Sequence, residues 1–319
     1  MIEMSAKLKI VEGEFIRTES GFRNWVTADG SAGPSGEGGF AAEPGRYHLY
    51  VSYACPWAHR ILIVRKLKGL EKVISVSVMH PLMPAESWVF GDYPGATEDH
   101  LYGADYLYEL YRKADSGFNG LVTVPVLWDK HRQTIVNNES SEIIRMLNSA
   151  FNEFGDENID YYPVDLRLQI DAINGLIYDT VNNGVYRAGF ARTQQAYDAA
   201  YERLFRALDE LEDRLSKRRY LLGDRITEAD WRLFTTLVRF DAVYYNHFKT
   251  NKKRLTEYSN LWAYTRDLYQ VPGVAETVNM DHIKNHYFAS HRSINPSGVV
   301  PQDPDIDFLA PHERERLSQ

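Results

Sequence analysis

The stretch that most restricts this chain is RYHLYVSYACPWAHRILIVRKLKG, residues 46–69. Residues 46–53 are rich in apolar and aromatic side chains and read as a strand. From Pro56 the apolar positions fall at helical spacing and stop at Gly69, a residue suited to end a helix. Proline is well placed at a first helical position, where its missing N–H is not needed. A strand that becomes a helix at Cys55-Pro56 defines a βα unit and sets a sulfur at the helix N-terminus. Free N–H groups and the helix dipole favour negative charge there, and thiols in such places ionise below their ordinary pKa of about 8.5. Cys55 is the only cysteine among 319 residues. It reads either as a small buried apolar residue or as a reactive thiolate, and the strand–helix junction favours the thiolate.

The rest of the chain extends this unit. VISVSVM (73–79) alternates like a strand, a helical piece lies near 100–114, LVTVPVLWD (121–129) and QTIV (133–136) read as a strand pair, and SSEIIRMLNSAF (140–151) is helical. The order β-α-β, insertion, β-β-α is the thioredoxin-like arrangement, with Pro125 at the start of its third strand. Residues 152–162 are acidic and poor in apolar side chains, as a linker would be. Helical periodicity then dominates at 163–181, 193–215, 227–247 and 259–270, which predicts an all-α bundle. The expected fold is α+β. An irregular Gly-rich arm (1–45), docked through Phe22, Trp25 and Phe40, precedes a thioredoxin-like domain (46–151). An α-helical domain (163–290) and an irregular tail (291–319) follow.

Composition narrows the function. With 36 basic and 44 acidic residues, a net charge of −8, nothing attracts nucleic acid. Apolar runs such as Ile61-Leu62-Ile63-Val64 fall far short of the roughly 20 residues that span a membrane. The opening MIEMSAKLKIVEGEF lacks the apolar core of a signal peptide, and a lone cysteine forms no internal disulfide. The expectation is a reduced, cytoplasmic protein. The 21 tyrosines and 6 tryptophans are mostly core and interface material, though they also suit an aromatic ligand.

Position 58, where a dithiol oxidoreductase would carry its second cysteine, is Ala58. Disulfide chemistry at Cys55 must therefore borrow a second thiol from solution, and glutathione is the natural candidate. Thr123-Val124-Pro125-Val126 would offer the Val124 backbone to a peptide as an added strand does, or else mark an ordinary edge-strand proline. Glu139-Ser140 opens a helix and reads equally as a cap or as a seat for a γ-glutamyl group, its carboxylate on the helix N-terminus and its ammonium on Glu139. Thr227-x-x-Asp230 is a capping box with Ile226 and Trp231 at the staple positions, a structural signal. His282 and His286 are spaced for one helix face, with His291 nearby, but no third ligand is indicated and no metal is expected. GEGGF (36–40) lacks the flanking strand and helix of a nucleotide loop.

Together CPWAHR, TVPVLWD, NNESSEIIRMLN, NNGVYRAGFA (182–191), RFDAVYYNHFK (239–249), GFRNWV (21–26) and SINPSGVVP (293–301) resemble the glutathionyl-hydroquinone reductases, the xi class of glutathione transferases. The resemblance spans nearly the whole chain. It implies an N-terminal thioredoxin-like domain plus an all-α C-terminal glutathione-transferase domain, in a homodimer. It also implies reduction of glutathionyl-hydroquinones by glutathione, with no metal or nucleotide. By the same resemblance Cys55 is the nucleophile and Trp88 covers glutathione. Leu121, Val122, Thr123, Val124 and Pro125, with Glu139 and Ser140, contact glutathione. Tyr186 moves a proton, and Tyr244 and Tyr287 help hold Cys55 as thiolate. Two rivals stand beside this reading: an omega-like thiol transferase or dehydroascorbate reductase, and a non-catalytic binding module on the same fold.

Overall fold

The computed structural model describes residues 9–84 and 87–318. It divides into two compact units. Of the described residues, one unit holds those within Thr18–Asp160 and Thr277–His286; the other holds residues 9–17, Tyr161–Glu276 and residues 287–318.

The arm expected to be irregular begins with a hairpin, β1 (Lys9–Val11) against β2 (Glu14–Ile16). Its two-residue turn has Glu12 at φ 50° and Gly13 at φ 87°, the paired left-handed geometry that matches strand twist. The hairpin belongs to the helical unit: Arg192 N–H donates to the Gly13 carbonyl at 2.9 Å, and Phe15 packs on Phe190 at 5.5 Å. The following arm is irregular and docks as expected. Phe22 stands edge-on to Tyr111, Phe40 is buried, and Asn24 N–H donates to the Val136 carbonyl.

The first unit is built on a four-stranded sheet of order β4-β3-β5-β6. Strand β3 (Tyr47–Val51) enters helix α1 (Pro56–Leu67), and β4 (Ser75–Val78) returns parallel to β3. Helix α2 (Leu107–Ala114) starts later than the periodicity suggested. The Asp99 carboxylate accepts from Leu101, Tyr102 and Ala104 N–H and from Tyr50 Oη, which ties residues 99–104 into a loop instead. Strand β5 (Val126–Asp129) is antiparallel to β3 and to β6 (Thr134–Asn137). The expected strand over 121–129 begins only at Val126, because Pro125 has no N–H for the ladder. Helix α3 (Ser140–Ser149) packs beside α1.

His48 sits buried within β3, its ring nitrogens bonded to Ser75 Oγ at 2.7 Å and Ser77 Oγ at 3.0 Å. Burial, assisted by the Lys130 charge, pulls its pKa down to about 3. The unfolded chain takes up a proton near pH ~6.5 that the folded chain refuses, so stability present above that pH is lost as pH falls toward 3. The melting temperature is expected to drop between pH 7 and pH 4, and His48→Gln to flatten that slope. An unchanged slope in His48→Gln would remove His48 from the acid response.

The second unit is helical: α4 (Arg167–Ile177), α5 (Gly184–Gly189), α6 (Gln194–Ser216), α7 (Glu228–Leu237), the single turn α8 (Tyr245–His247) and α9 (Ser259–Tyr269). The expected helices over 163–181 and 227–247 are interrupted by π-helical turns at Tyr178–Asn182 and Phe240–Tyr244. The chain revisits the first unit as α10 (Met280–Asn285), then forms a third π-turn at His286–Ser290. Such turns recur at functional sites. Among the described residues, no helix is long and apolar enough to cross a membrane.

The capping box of α7 is formed: Thr227 N–H donates to Asp230 Oδ2 at 2.8 Å. The fully buried Asp230 also accepts from Leu221 N–H, Thr227 Oγ1 and Tyr264 Oη.

Candidate active site

Cys55 is the N-cap of α1, in extended conformation (φ −76°, ψ 119°), and Pro56 opens the helix. Its N–H donates to the Ser52 carbonyl and its carbonyl accepts from His59 N–H. The backbone of Cys55 is thereby engaged, and its side chain makes no cap bond to the helix. The side chain is 8% exposed. Its thiol donates to the Val124 carbonyl at 3.5 Å, so the strand–helix junction and the segment before β5 meet at the sulfur.

That segment is held from behind. The Val124–Pro125 peptide is cis. Tyr111 Oη donates to the Thr123 carbonyl at 2.8 Å and accepts from Thr123 N–H at 3.2 Å, and Asn138 Nδ2 donates to the same Tyr111 oxygen. Thr123 is thus fixed on both backbone groups, while among the described residues Val124 N–H has no hydrogen-bond partner. An N–H and a C=O on one residue, beside a thiol, are what an added peptide strand needs. Leu121 is exposed and Val122 half-buried on the approach to this segment.

Glu139 caps α3 with its own carboxylate. Oε1 accepts from Ser141 N–H and Ser141 Oγ, each at 3.0 Å, and Oε2 from Ser20 Oγ at 3.2 Å. Burial works to raise this carboxyl, but the Ser141 bonds, the Arg60 charge and Ser20 outweigh it and hold the group below its usual value. Ser140 follows as the first residue of α3 and accepts from Arg60 Nη1 at 3.5 Å. The guanidinium of Arg60 also lies 4.8 Å from the Trp57 ring centre. Within CPWAHR, the sequence alone assigns Arg60 no role. Its signal was a charge next to the apolar run 61–64, on a face the helix buries. Ser20, from the arm, left no such signal.

Trp88 is buried and stacks on His286 at 4.9 Å and 13°. His282 and His286 each engage a backbone oxygen, of Pro94 at 2.7 Å and of Pro81 at 2.9 Å. Among the described residues no group of three His, Cys, Asp or Glu side chains is placed to hold a metal.

The tyrosines gather in the helical unit. Tyr287 Oη lies 2.5 Å from Tyr186 Oη and 3.0 Å from Tyr244 Oη. Tyr186 comes from α5; Tyr244 and Tyr287 come from the second and third π-turns. Burial first, then the neighbouring tyrosine oxygens, push Tyr287 well above the ordinary tyrosine range, against the opposing Arg239 charge. Tyr287 therefore keeps its proton. Two hydrogen bonds among three hydroxyls consume two protons, which leaves a third for a partner outside the trio. Tyr186 is the member nearest solvent, 9% exposed against 0% for Tyr244 and 2% for Tyr287.

Comparison with known proteins identifies the family. Residues 54–150 match the model for the glutathione S-transferase N-terminal domain and residues 194–267 that for its C-terminal domain. The chain is 59% identical over 308 residues to the glutathionyl-hydroquinone reductase YqjG of Escherichia coli K12, covering 96% of this chain and 94% of that protein. It is 52% identical to PcpF, a glutathionyl-hydroquinone reductase of Sphingobium chlorophenolicum, over 92% of this chain and 90% of that protein. The glutathione-bound structure of YqjG superposes with a TM-score of 0.91, at 60% identity, over 92% of this chain and 96% of that one. The xi glutathione transferase of Phanerochaete chrysosporium also gives a TM-score of 0.91, at 50% identity, over 98% and 99% of the two chains. A lone cysteine opening α1 beside a cis-proline segment, a capped glutamate, a tyrosine trio and these identities along the whole chain lead to one assignment: the chain belongs to the glutathionyl-hydroquinone reductases, the xi class of glutathione transferases.

Proposed function

We propose that this protein reduces glutathionyl-hydroquinones to hydroquinones with glutathione, through a Cys55–glutathione mixed disulfide that a second glutathione resolves. The observation that carries the reading is Cys55 at the N-terminus of α1, with Ala58 in place of a resolving cysteine. In this reading glutathione pairs its peptide with Val124, seats its γ-glutamyl group on Glu139 and Ser140, and lies under Trp88. A cytoplasmic homodimer is part of the same proposal.

The chemistry needs both a sulfur and a proton. The Cys55 thiolate attacks the sulfur of the aryl thioether; an S–S bond forms and the C–S bond breaks. A bare aryl carbanion is too poor a leaving group. In the keto tautomer of the ring the electron pair flows instead to the ring oxygen, which becomes a phenolate. Tyr186 gives that oxygen its proton and is left as tyrosinate. The second glutathione then attacks the mixed disulfide as thiolate, releases oxidised glutathione and frees Cys55. Its thiol proton restores Tyr186, and the cycle balances. General acid help of this kind is worth about 10²–10⁴-fold.

The test compares two substrates in wild type and Tyr186→Phe. Turnover of glutathionyl-hydroquinone is expected to fall by about 10²-fold, while reduction of a small glutathione mixed disulfide, which has no ring oxygen to protonate, stays within a factor of about two. Equal retention of both activities would favour an omega-like thiol transferase. Efficient conjugation of a chloronitroarene with no action on glutathionyl-hydroquinones would overturn the proposal outright.

A further inference from the structure

The N-terminal hairpin carries a cation to the tyrosine trio. Arg17, directly after β2, places its guanidinium carbon 5.0 Å from the centre of the Tyr186 ring. Arg17 Nε donates to Asn183 Oδ1 at 2.5 Å, and the same guanidinium lies 5.4 Å from the Phe15 ring centre. The Asn182-Asn183 pair accounts for this placement. Asn182 Nδ2 donates to the Arg232 carbonyl and to Thr236 Oγ1, which ties the turn before α5 to α7. Asn183 is buried and points its oxygen at Arg17. Tyr186 follows about one helical turn later. The hairpin is itself pinned to this unit by the bond from Arg192 N–H to the Gly13 carbonyl and by the Phe15–Phe190 contact.

We infer that Arg17 is a positioning residue for the hydroquinone step, acting through Tyr186. This rests on the proton-donor role of Tyr186 proposed above. As the Tyr186 proton passes to the ring oxygen of the substrate, negative charge grows on the tyrosine oxygen and spreads into its ring. The guanidinium beside that ring attracts the growing charge more strongly than it attracts the neutral ring. The stabilisation is therefore larger in the transition state than in the ground state, the condition for raising kcat rather than lowering KM. The planar fork of arginine suits both jobs, packing against the ring and bonding Asn183. Disulfide exchange at Cys55 involves no proton transfer from Tyr186, and so draws nothing from Arg17.

The experiment measures kcat and KM of Arg17→Gln, Arg17→Lys, Tyr186→Phe and the Arg17→Gln/Tyr186→Phe double variant on glutathionyl-hydroquinone and on a small glutathione mixed disulfide. Thermal unfolding is recorded for each. Arg17→Gln is expected to lower kcat on the hydroquinone conjugate roughly tenfold, with KM and the disulfide rate within a factor of about two. Arg17→Lys should recover most of the loss, and the double variant should be no slower than Tyr186→Phe alone. Should Arg17→Gln fail to fold, Asn183→Ala keeps the charge but releases its anchor, and it should show the same split between substrates. Equal loss on both substrates with a lowered melting temperature, an unchanged kcat, or full additivity in the double variant would overturn the inference. If Tyr186→Phe falls and Arg17→Gln does not, this inference alone fails. If Tyr186→Phe itself keeps its hydroquinone activity, the proton-donor reading fails first.

Discussion

Cys55→Ser is expected to lower turnover of glutathionyl-hydroquinone by roughly 10³-fold or more, the scale on which removing a nucleophile acts. A serine hydroxyl cannot exchange into a disulfide, and its oxygen is scarcely ionised near neutral pH. Intact-protein mass analysis should show a glutathione adduct on wild type incubated with the conjugate, and none on the variant. The fold should barely notice. Cys55 makes no side-chain cap bond to α1, and its thiol contact with Val124 is long, at 3.5 Å. A variant that keeps turnover, or a wild-type protein that never carries the adduct while turning over, would end the proposed cycle.

Asp230→Ala is expected to cost about 3 kcal/mol, because its loss strands several buried donors at once. Leu221 N–H, Thr227 N–H and Tyr264 Oη all lose their acceptor inside the helical unit. At the usual sensitivity of a unit this size, the melting temperature should fall by roughly 6–12 °C. Asp230→Asn keeps an acceptor oxygen and should cost less. A shift of under about 2 °C for Asp230→Ala would mean that neighbouring groups or water replace the carboxylate freely.

Both predictions fall on features that the sequence displays locally. Cys55-Pro56 stands where a β-type run gives way to helical spacing, and Thr227-x-x-Asp230 is a capping pattern complete within a single turn. Local signals of this kind survive folding because their partners are neighbours in the chain. The surroundings of Glu139 were less legible. Ser20 and Arg60 reach it from distant segments, and no spacing rule connects them. The hairpin was missed because its turn sets a glutamate, Glu12, at positive φ, a conformation few side chains adopt. It was missed also because its packing partners, Phe190 and Arg192, lie in the other half of the sequence. The π-turns at Tyr178–Asn182 and Phe240–Tyr244 break periodicities that look continuous in the sequence. Pro125 cut short a strand whose alternation had suggested more.

The hairpin also bears on the order in which the molecule is made. Residues 9–17 are translated long before the groups that hold them, Asn183, Phe190 and Arg192, which are synthesised only after the whole sheet. This stretch must therefore wait for these partners while everything between is translated, and contacts so far apart in the chain form slowly. A bulky fusion at the amino end would burden this late closing step, whereas the same fusion at the carboxyl end would leave it alone.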